Sequence, residues 1–364
     1  MSREDAEGPE PFEHGFVLRR TDEDREAFVR LALSDGIGTV TVRALLQECG
    51  GSAAAILDIP EARLRGRLPK DRISAILAAR DVEVPDRPVL TPAHDDYPER
   101  LRLLTDAPLA LWWCGRPLTE RPRVAMVGSR RVSEYGRRMA ARMARDLSDE
   151  GIEVVSGMAT GIDGAAHRGA LEGRSGTMAV MATGINRVFP AVHRALARQI
   201  EADGTLLTER PPGRGAGSGT FRNRNRIISG ISDAVVVVEA NDKGGALLTA
   251  ALAEDQRRPL WAVPGDMDRK SAMGSTKLLT SRHATPAWSA WDLINAVTGR
   301  EKPAQPKQPG PAGALLPYLG PEGRTVDQIC RETGKSVSDI LVLLLDLQLR
   351  GVVKELPGKR YVPV

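Results

Sequence analysis

An aromatic residue stands beside alternating arginine and asparagine side chains in one short segment, residues 220–228. The segment reads Thr-Phe-Arg-Asn-Arg-Asn-Arg-Ile-Ile, and its phenylalanine is Phe221. A phenyl ring offers a stacking face to a base, guanidinium groups match phosphates, and asparagine amides reach base edges. This combination is typical of a site for single-stranded nucleic acid.

Two of these arginines also have a structural interpretation. Arg224 and Arg226 could pair with Glu209 and Glu239 inside the protein, because a buried guanidinium needs an acidic partner. The two interpretations are compatible, and the sequence leaves both open.

The positive charge of the chain is concentrated in two blocks. The 364 residues contain 51 Lys and Arg against 47 Asp and Glu, a formal net charge of +4. Residues 121–145 hold eight arginines and one acid, a local charge of +7, and residues 210–228 hold five arginines and no acid, a local charge of +5. A general preference for arginine does not explain the missing acids. The two blocks therefore favour an anionic partner.

Length and composition exclude several classes of protein. A chain of 364 residues with 41% hydrophobic residues predicts two or three domains with real cores. No apolar run approaches the roughly 20 residues of a membrane span, and the acidic first residues lack the apolar stretch of a secretory signal, so we expect a cytoplasmic protein. Cys49, Cys114 and Cys330 are too few and too far apart for a disulfide framework or a zinc site, and we expect them reduced and mostly buried.

The middle of the chain alternates apolar strands with helices. Continuous Val, Ile and Ala runs without polar alternation predict strands that are covered on both faces, and the alternation makes their sheet largely parallel. The fold class is therefore α/β, an extended Rossmann-like, doubly wound sheet. Predicted strands are 109–113, 124–127, 153–155, 177–182, 205–208, 234–239 and, as the last, 260–263; predicted helices are 134–149, 163–171, 192–202, 224–230 and 246–255.

Glycines recur where the predicted strands end, at the edge of an open sheet that binds ligands. Amides in such turns can bind an anion. The dinucleotide fingerprint is absent, because the next glycine after Gly128 is Gly136, and Gly334-Lys335-Ser336 lacks the first glycine of a P-loop. Asp163 and His167 share a helix face without an evident third metal ligand, so Asp163 more plausibly caps the helix while His167 bonds to loop backbone. We predict no cofactor and no metal.

The flanking segments predict two smaller domains. Ser34 to Thr39 joins two helices by a Gly-hydrophobic-Gly turn of the helix-hairpin-helix type, for which packing is the favoured use, and three helices with a hairpin near the end indicate a winged helix. The predicted organisation is an acidic flexible leader (1–20), a helical domain (21–85), a Rossmann-like domain (86–298), a proline-rich linker (299–313) and a winged-helix domain (314–364).

These residues resemble one known family, DNA-processing protein A, also called Smf. The resemblance is close over about residues 89–280. The motifs that carry it are Val127-Gly128-Ser129-Arg130, Tyr135-Gly136, Ser156-Gly157, Gly161-Ile162-Asp163, Ala166-His167, Phe189-Pro190, Thr208-Glu209, Arg224-Asn225-Arg226-Ile227-Ile228, Val236-Val237-Val238-Glu239-Ala240 and Ala262-Val263-Pro264-Gly265.

The resemblance implies a non-enzymatic protein that binds single-stranded DNA, protects it and helps to load RecA recombinase during natural transformation and recombination. It further implies a homodimer formed through the Rossmann domain. We also expect weaker binding of double-stranded DNA, and no membrane partner because no apolar run could span a membrane. Arg130 would hold a phosphate beside the amides of Gly128 and Ser129, and Phe221 would stack on a base. The expected DNA-binding residues are Gly128, Ser129, Arg130, Gly157, Gly161, Phe221, Arg222, Asn223, Arg224, Asn225, Arg226, Lys243, Gly244 and Gly245. The flanking domains resemble the sterile-alpha-motif-like and winged-helix modules of longer members.

The chain departs from the family pattern at three places. Arg222 replaces a proline, Gly244-Gly245-Ala246 replaces Ser-Gly-Ser, and Thr276 replaces an asparagine.

Two other functions remain as alternatives. A nucleoside monophosphate phosphoribohydrolase would keep the Gly244-Gly245 pair, but the third glycine is missing and no glutamate follows before Glu254. A double-strand binder would use the winged helix, although Asp339 and Asp346 on its third helix favour a protein contact.

Overall fold

A nine-stranded sheet forms the centre of the protein in a computed structural model. The structure describes residues 18–217, 219–265, 268–302 and 311–364. Most of the predicted leader and residues 303–310 of the predicted linker lie outside the described residues. The chain divides into two compact units between Glu301 and Lys302.

Five short helices begin the first unit, within the predicted helical domain (21–85). They are α1 (Asp22–Leu33), α2 (Thr39–Glu48), α3 (Ala53–Leu57), α4 (Glu61–Leu64) and α5 (Lys70–Ala79). Their buried faces share one apolar core that includes Phe28, Val42 and Ile76. This core also takes in Leu109, just before the second strand of the sheet, so the helices and the sheet belong to the same unit.

The sheet confirms the predicted doubly wound fold. Its strands are β1 (Val89–Leu90), β2 (Leu111–Gly115), β3 (Arg123–Val127), β4 (Glu153–Ser156), β5 (Thr177–Val180), β6 (Thr205–Thr208), β7 (Ala234–Val237), β8 (Leu260–Ala262) and β9 (Thr285–Pro286). Their order is β1-β2-β6-β5-β4-β3-β7-β8-β9. Strands β3 to β9 are parallel, whereas β1 and β2 extend one edge antiparallel. The chain winds outward from β3 in one direction and from β7 in the other, so the switch point lies between these two strands.

Helices cover both faces of the sheet. They are α6 (Glu99–Arg102), α7 (Glu134–Asp149), α8 (Ile162–Leu171), α9 (Arg194–Asp203), α10 (Thr220–Gly230), α11 (Gly245–Asp255), α12 (Met273–Thr280) and α13 (Ala290–Thr298). The cores show that α7, α8 and α13 pack on one face and α10 and α11 on the other. None of the described helices is both long and apolar enough to cross a membrane.

The observed elements differ from the prediction in several places, and β1, α6, α12 and α13 were not predicted. Strand β9 follows the strand that we expected to be last, α10 begins at Thr220 rather than at residue 224, and a 3-10 turn at Ala191–His193 precedes α9. The three cysteines are free, as expected, but half-buried.

The second unit has the predicted winged-helix elements. A 3-10 helix (Pro311–Tyr318) is followed by β10 (Arg324–Thr325), α14 (Val326–Thr333), α15 (Val337–Leu349), β11 (Val353–Leu356) and β12 (Arg360–Pro363). Helix α15 buries Ile340, Leu344 and Leu347 and leaves Leu341 and Leu345 exposed.

One buried ion pair joins the two central strands. Arg123 and Glu153 are register partners on β3 and β4, and the Arg123 Nε lies 2.7 Å from the Glu153 Oε2 with both side chains at least 93% buried. A buried charge is tolerated only with its partner, because water no longer solvates it.

Glu153→Gln should therefore lower the free energy of unfolding by about 3–5 kcal/mol, since it leaves the buried guanidinium without a counter-charge. Glu61→Gln is the matched control, because it breaks an exposed pair with Arg65 and should cost less than about 1 kcal/mol. Urea unfolding of both variants measures the difference. Equal losses would contradict the assignment.

Candidate nucleic-acid interface

A cavity of about 640 Å³ opens at the switch point, and we call it the Arg130 cavity. It lies between the segments that follow β3 and β7 and the first turns of α10 and α11. The predicted residues that line it are Gly128, Ser129, Arg130, Phe221, Arg222, Arg224, Asn225, Gly244 and Gly245. The structure thus brings together nine of the fourteen residues selected from the sequence.

Backbone hydrogen bonds hold the turn after β3 in place. The Ser129 amide donates to the Glu239 carbonyl at 2.7 Å, and the Ile162 amide donates to the Ser129 carbonyl at 3.2 Å. The Ser129 amide is therefore already bonded, whereas we expected it to meet a phosphate. Gly161 lies directly against this turn, since a Cβ at Gly161 would overlap the carbonyls of Ser129 and Arg130. These contacts fix the position from which Arg130 projects.

Arg130 begins a row of three side chains that contact one another. Its guanidinium carbon lies 5.1 Å from the centre of the Phe221 ring, and the Phe221 ring centre lies 5.5 Å from that of Phe189 at an interplanar angle of 55°. Arg130 is exposed, and Phe189 is 51% exposed. The row presents a positive charge and two aromatic faces at the mouth of the cavity, which suits a phosphate and stacked bases.

Arg224 forms the floor of the cavity rather than its exposed wall. The side chain is buried and donates through Nη1 to the carbonyls of Gly157 and Val180, the latter at 2.6 Å. Burial lowers the pKa of Arg224 to about 10, so it stays charged at neutral pH, and Asp163 is its charge partner. Gly157 belongs to this arrangement, because a Cβ there would overlap the guanidinium.

The alternative ion pairs hold for one arginine and fail for the other. Arg226 pairs with Glu209 and also with Asp106, its Nε lying 3.1 Å from the Asp106 Oδ2. Glu239 accepts instead from the backbone amide of Ser133 at 3.0 Å and from its hydroxyl, so it stabilises the start of α7.

Arg226 and Asn223 lie on another side of α10. With Thr220 they line a second cavity of about 480 Å³, the hairpin cavity, which reaches the Gly36-Ile37-Gly38 turn between α1 and α2. Residues three apart are neighbours on a helix surface, so Thr220, Asn223 and Arg226 form one side of α10. Phe221 lies on a different side and lines the other cavity. Lys243 is exposed and does not line the Arg130 cavity.

Some residues at the site were not selected from the sequence. Arg131, Asn241, Leu248 and Thr249 also line the Arg130 cavity. Phe189 reaches the site through its contact with Phe221. Arg131 and Asn241 lie just after the predicted strands 124–127 and 234–239, and their position at strand ends could have identified them.

His167 bonds to loop backbone, as predicted, whereas the prediction that Asp163 caps the helix is wrong, because α8 begins after Gly161 and Asp163 lies within its first turn. Asp163 accepts from the Ala159 amide at 3.2 Å, and His167 Nε2 accepts from the Met158 amide at 3.3 Å. His167 Nδ1 lies 2.8 Å from the Thr177 hydroxyl. The part of the chain that the structure describes contains no cluster of three metal-binding side chains.

The fold and the site define a class of protein. It has a doubly wound α/β sheet with an arginine- and phenylalanine-lined cavity at the switch point, and it adds helical and winged-helix modules before and after the sheet in sequence. A family model described as DNA recombination-mediator protein A matches residues 88–298. Models described as the DprA-like N-terminal HHH domain and the DprA winged helix domain match residues 22–82 and 299–359. The chain belongs to the DprA/Smf family.

Relatives cover most of the chain. Protein Smf of Synechocystis is 33% identical over 315 residues, which are 75% of this chain and 79% of that protein. Protein Smf of Escherichia coli is 32% identical over 290 residues, which are 76% of this chain and 78% of that protein.

Solved structures of relatives have the same fold. DNA processing protein A of Streptococcus pneumoniae superposes with a TM-score of 0.64 at 27% identity, over 76% of this chain and 98% of that one. The protein of Helicobacter pylori superposes with a TM-score of 0.54 at 26% identity, over 60% of this chain and 99% of that one. The Helicobacter structure concerns a single-stranded DNA binding mode of that protein.

Gly157→Ala should lower the free energy of unfolding by about 1–3 kcal/mol, because the added methyl overlaps a guanidinium that two carbonyls hold in place. Gly245→Ala is the control, since a Cβ there meets no atom within 4 Å and alanine favours the first turn of α11. Thermal unfolding compares the two variants. A Gly157→Ala variant as stable as Gly245→Ala would refute the close packing of Arg224.

His167 should make the free energy of unfolding depend on pH. Burial, followed by the nearby charge of His193, lowers its pKa to about 3 from the ordinary value of 6.5. The unfolded chain therefore binds a proton that the folded chain refuses, and stability falls between about pH 6.5 and pH 3 by up to about 1.4 kcal/mol per pH unit. His167→Gln should flatten this slope in urea unfolding measured at several pH values. An unchanged slope would show that another group causes it.

Proposed function

We propose that this protein binds single-stranded DNA in the Arg130 cavity, without sequence readout, and protects it. The observation that carries the proposal is the row of exposed Arg130, half-buried Phe221 and exposed Phe189 at the switch point. A guanidinium meets any phosphate and an aromatic ring stacks on any base, so this row suits a strand of any sequence. The Helicobacter relative, studied for its single-stranded DNA binding mode, supports the proposal.

The recombination role follows from the same proposal. The family description, DNA recombination-mediator protein A, supports a protein that hands bound DNA to a recombinase. We therefore propose that it helps to load RecA in the cytoplasm, as a homodimer formed through the sheet-containing unit. Lys243, exposed just before the glycine pair at α11, adds charge to an approaching strand.

The protein acts without catalysis in this proposal. Asp163 and His167, which have the residue types of an acid-base pair, are buried and bonded to backbone amides beneath the site. Release of free base from AMP above a no-protein control would favour the phosphoribohydrolase alternative instead.

The winged helix is not the main DNA site in this proposal. Helix α15 exposes Leu341 and Leu345 and carries Asp339 and Asp346, a surface poorly suited to phosphates. Double-stranded DNA should bind more weakly than single-stranded DNA, and a chain lacking residues 315–364 should keep its single-strand binding.

Two substitutions separate the charge contact from the stacking contact. Arg130→Ala should weaken binding to oligonucleotides of every sequence and reduce the slope of log affinity against log salt by about 0.7, because one phosphate contact is lost. Phe221→Ala should lower the binding free energy by about 1–3 kcal/mol while the salt slope is kept, because stacking releases no counterions. Titrations of poly-dT and a mixed-sequence oligonucleotide across a salt series measure both quantities.

Arg138→Ala is the matched control. Arg138 is exposed on α7 and makes no ion pair with any residue in the described ranges. It should retain full affinity. If folded Arg130→Ala bound poly-dT as tightly as this control at moderate salt, the Arg130 cavity would not be the DNA site.

A further inference from the structure

A third cavity carries a concentration of positive charge, and we call it the Arg194 groove. It has a volume of about 630 Å³ and lies beside α9, the adjacent strands β2 and β6, and the segment 185–188 that follows β5. The charged residues that line it are Arg87, Arg187, Arg194, Arg198 and Glu201. Four arginines against one acid give the groove a local charge of +3.

These four arginines lack internal partners. All four are exposed, and none makes an ion pair with any of the residues that the structure describes. Other arginines of the same unit are paired, as in Arg214 with Asp35 and Arg116 with Asp203. Like charges gathered around one groove repel each other, so the arrangement is expected where an anion neutralises them.

A short stretch of chain connects the Arg194 groove with Phe221 at the Arg130 cavity. Phe189, which contacts Phe221, is two residues after Arg187, and two residues of chain span at most about 7 Å. The Arg187 side chain also reaches the loop that leads to Phe221, since a Cβ at Gly215 would lie 3.2 Å from the Arg187 Nη1. The contact between Phe189 and Phe221 therefore joins the segment that lines the Arg194 groove to the helix that lines the Arg130 cavity.

The groove also has an apolar part. Trp113 and Ile185 line it and are half-buried, so a base as well as a phosphate finds a contact there. Cys114 also lines the groove. Burial raises the pKa of its thiol to about 11, so the thiol is unreactive. The groove thus offers both positive charge and apolar surface to a ligand.

We infer that a DNA strand bound in the Arg130 cavity continues over Phe189 and places further phosphates on Arg187, Arg194 and Arg198. This inference rests on the proposed function and extends it to a longer binding site. Short oligonucleotides fill the Arg130 cavity alone, whereas longer ones also occupy the Arg194 groove.

Arg194→Ala/Arg198→Ala tests the inference in the full chain, with poly-dT of 6 and 30 nucleotides as probes. Both side chains are exposed on α9, and alanine is a good helix former. The double variant should lose about tenfold in affinity for the 30-mer at moderate salt, with a salt slope lower by about 1.4, because two phosphate contacts disappear. Its affinity for the 6-mer should stay within about twofold of the parent.

Arg138→Ala/Arg145→Ala is the matched control, since it removes two exposed arginines of α7 that pair with no described residue. It should keep its affinity for both probes. An unchanged 30-mer affinity in the Arg194/Arg198 variant, an equal loss for both probes, or an equal loss in the control would overturn the inference.

The same titrations separate this inference from the proposed function. If the parent protein bound neither probe, both would fall. If Arg130→Ala lost binding while the Arg194/Arg198 variant kept all of its 30-mer affinity, the proposed site would stand and the extension alone would be wrong.

Discussion

The site depends on one buried guanidinium. Arg224 sits beneath the Arg130 cavity, where carbonyls at the ends of β4 and β5 accept its hydrogens and Asp163 balances its charge. A buried charge costs several kcal/mol when such partners are lost, so the two strand ends and α10 must keep their relative positions. Phe221 lies one turn before Arg224 on α10 and is placed by the same contacts. The row of Arg130, Phe221 and Phe189 faces solvent at its two ends, whereas the arginine that supports it is buried.

The charge of the sequence divides into two uses. Arg123, Arg224 and Arg226 belong to the basic blocks, yet each is buried and bonded within the protein. Arg130 and Arg222 from the same blocks line the Arg130 cavity and are exposed. The arginines of the Arg194 groove lie outside both blocks. A local excess of charge therefore located the region of the site, while burial decided which of its arginines face a ligand.

Sequence patterns predicted the sheet well because its strands are continuous apolar runs, which have few other structural uses. They missed β1 and β9, since two residues show no periodicity. They placed the start of α10 four residues late, and this hid the helical spacing that turns Asn223 and Arg226 toward the hairpin cavity. The contact between Phe189 and Phe221 joins a loop to the first turn of α10, 32 positions further along the chain, and no local sequence pattern indicates such a contact.

Gly157 and Arg224 occupy one small volume, although 67 positions separate them. A larger residue at the first position leaves no room for the guanidinium at the second, and a smaller residue at the second leaves the carbonyls of Gly157 and Val180 without this donor. Neither position can drift alone during evolution. Such a pair should change together or not at all, and sequence covariation between the two would record the shape of the cavity floor.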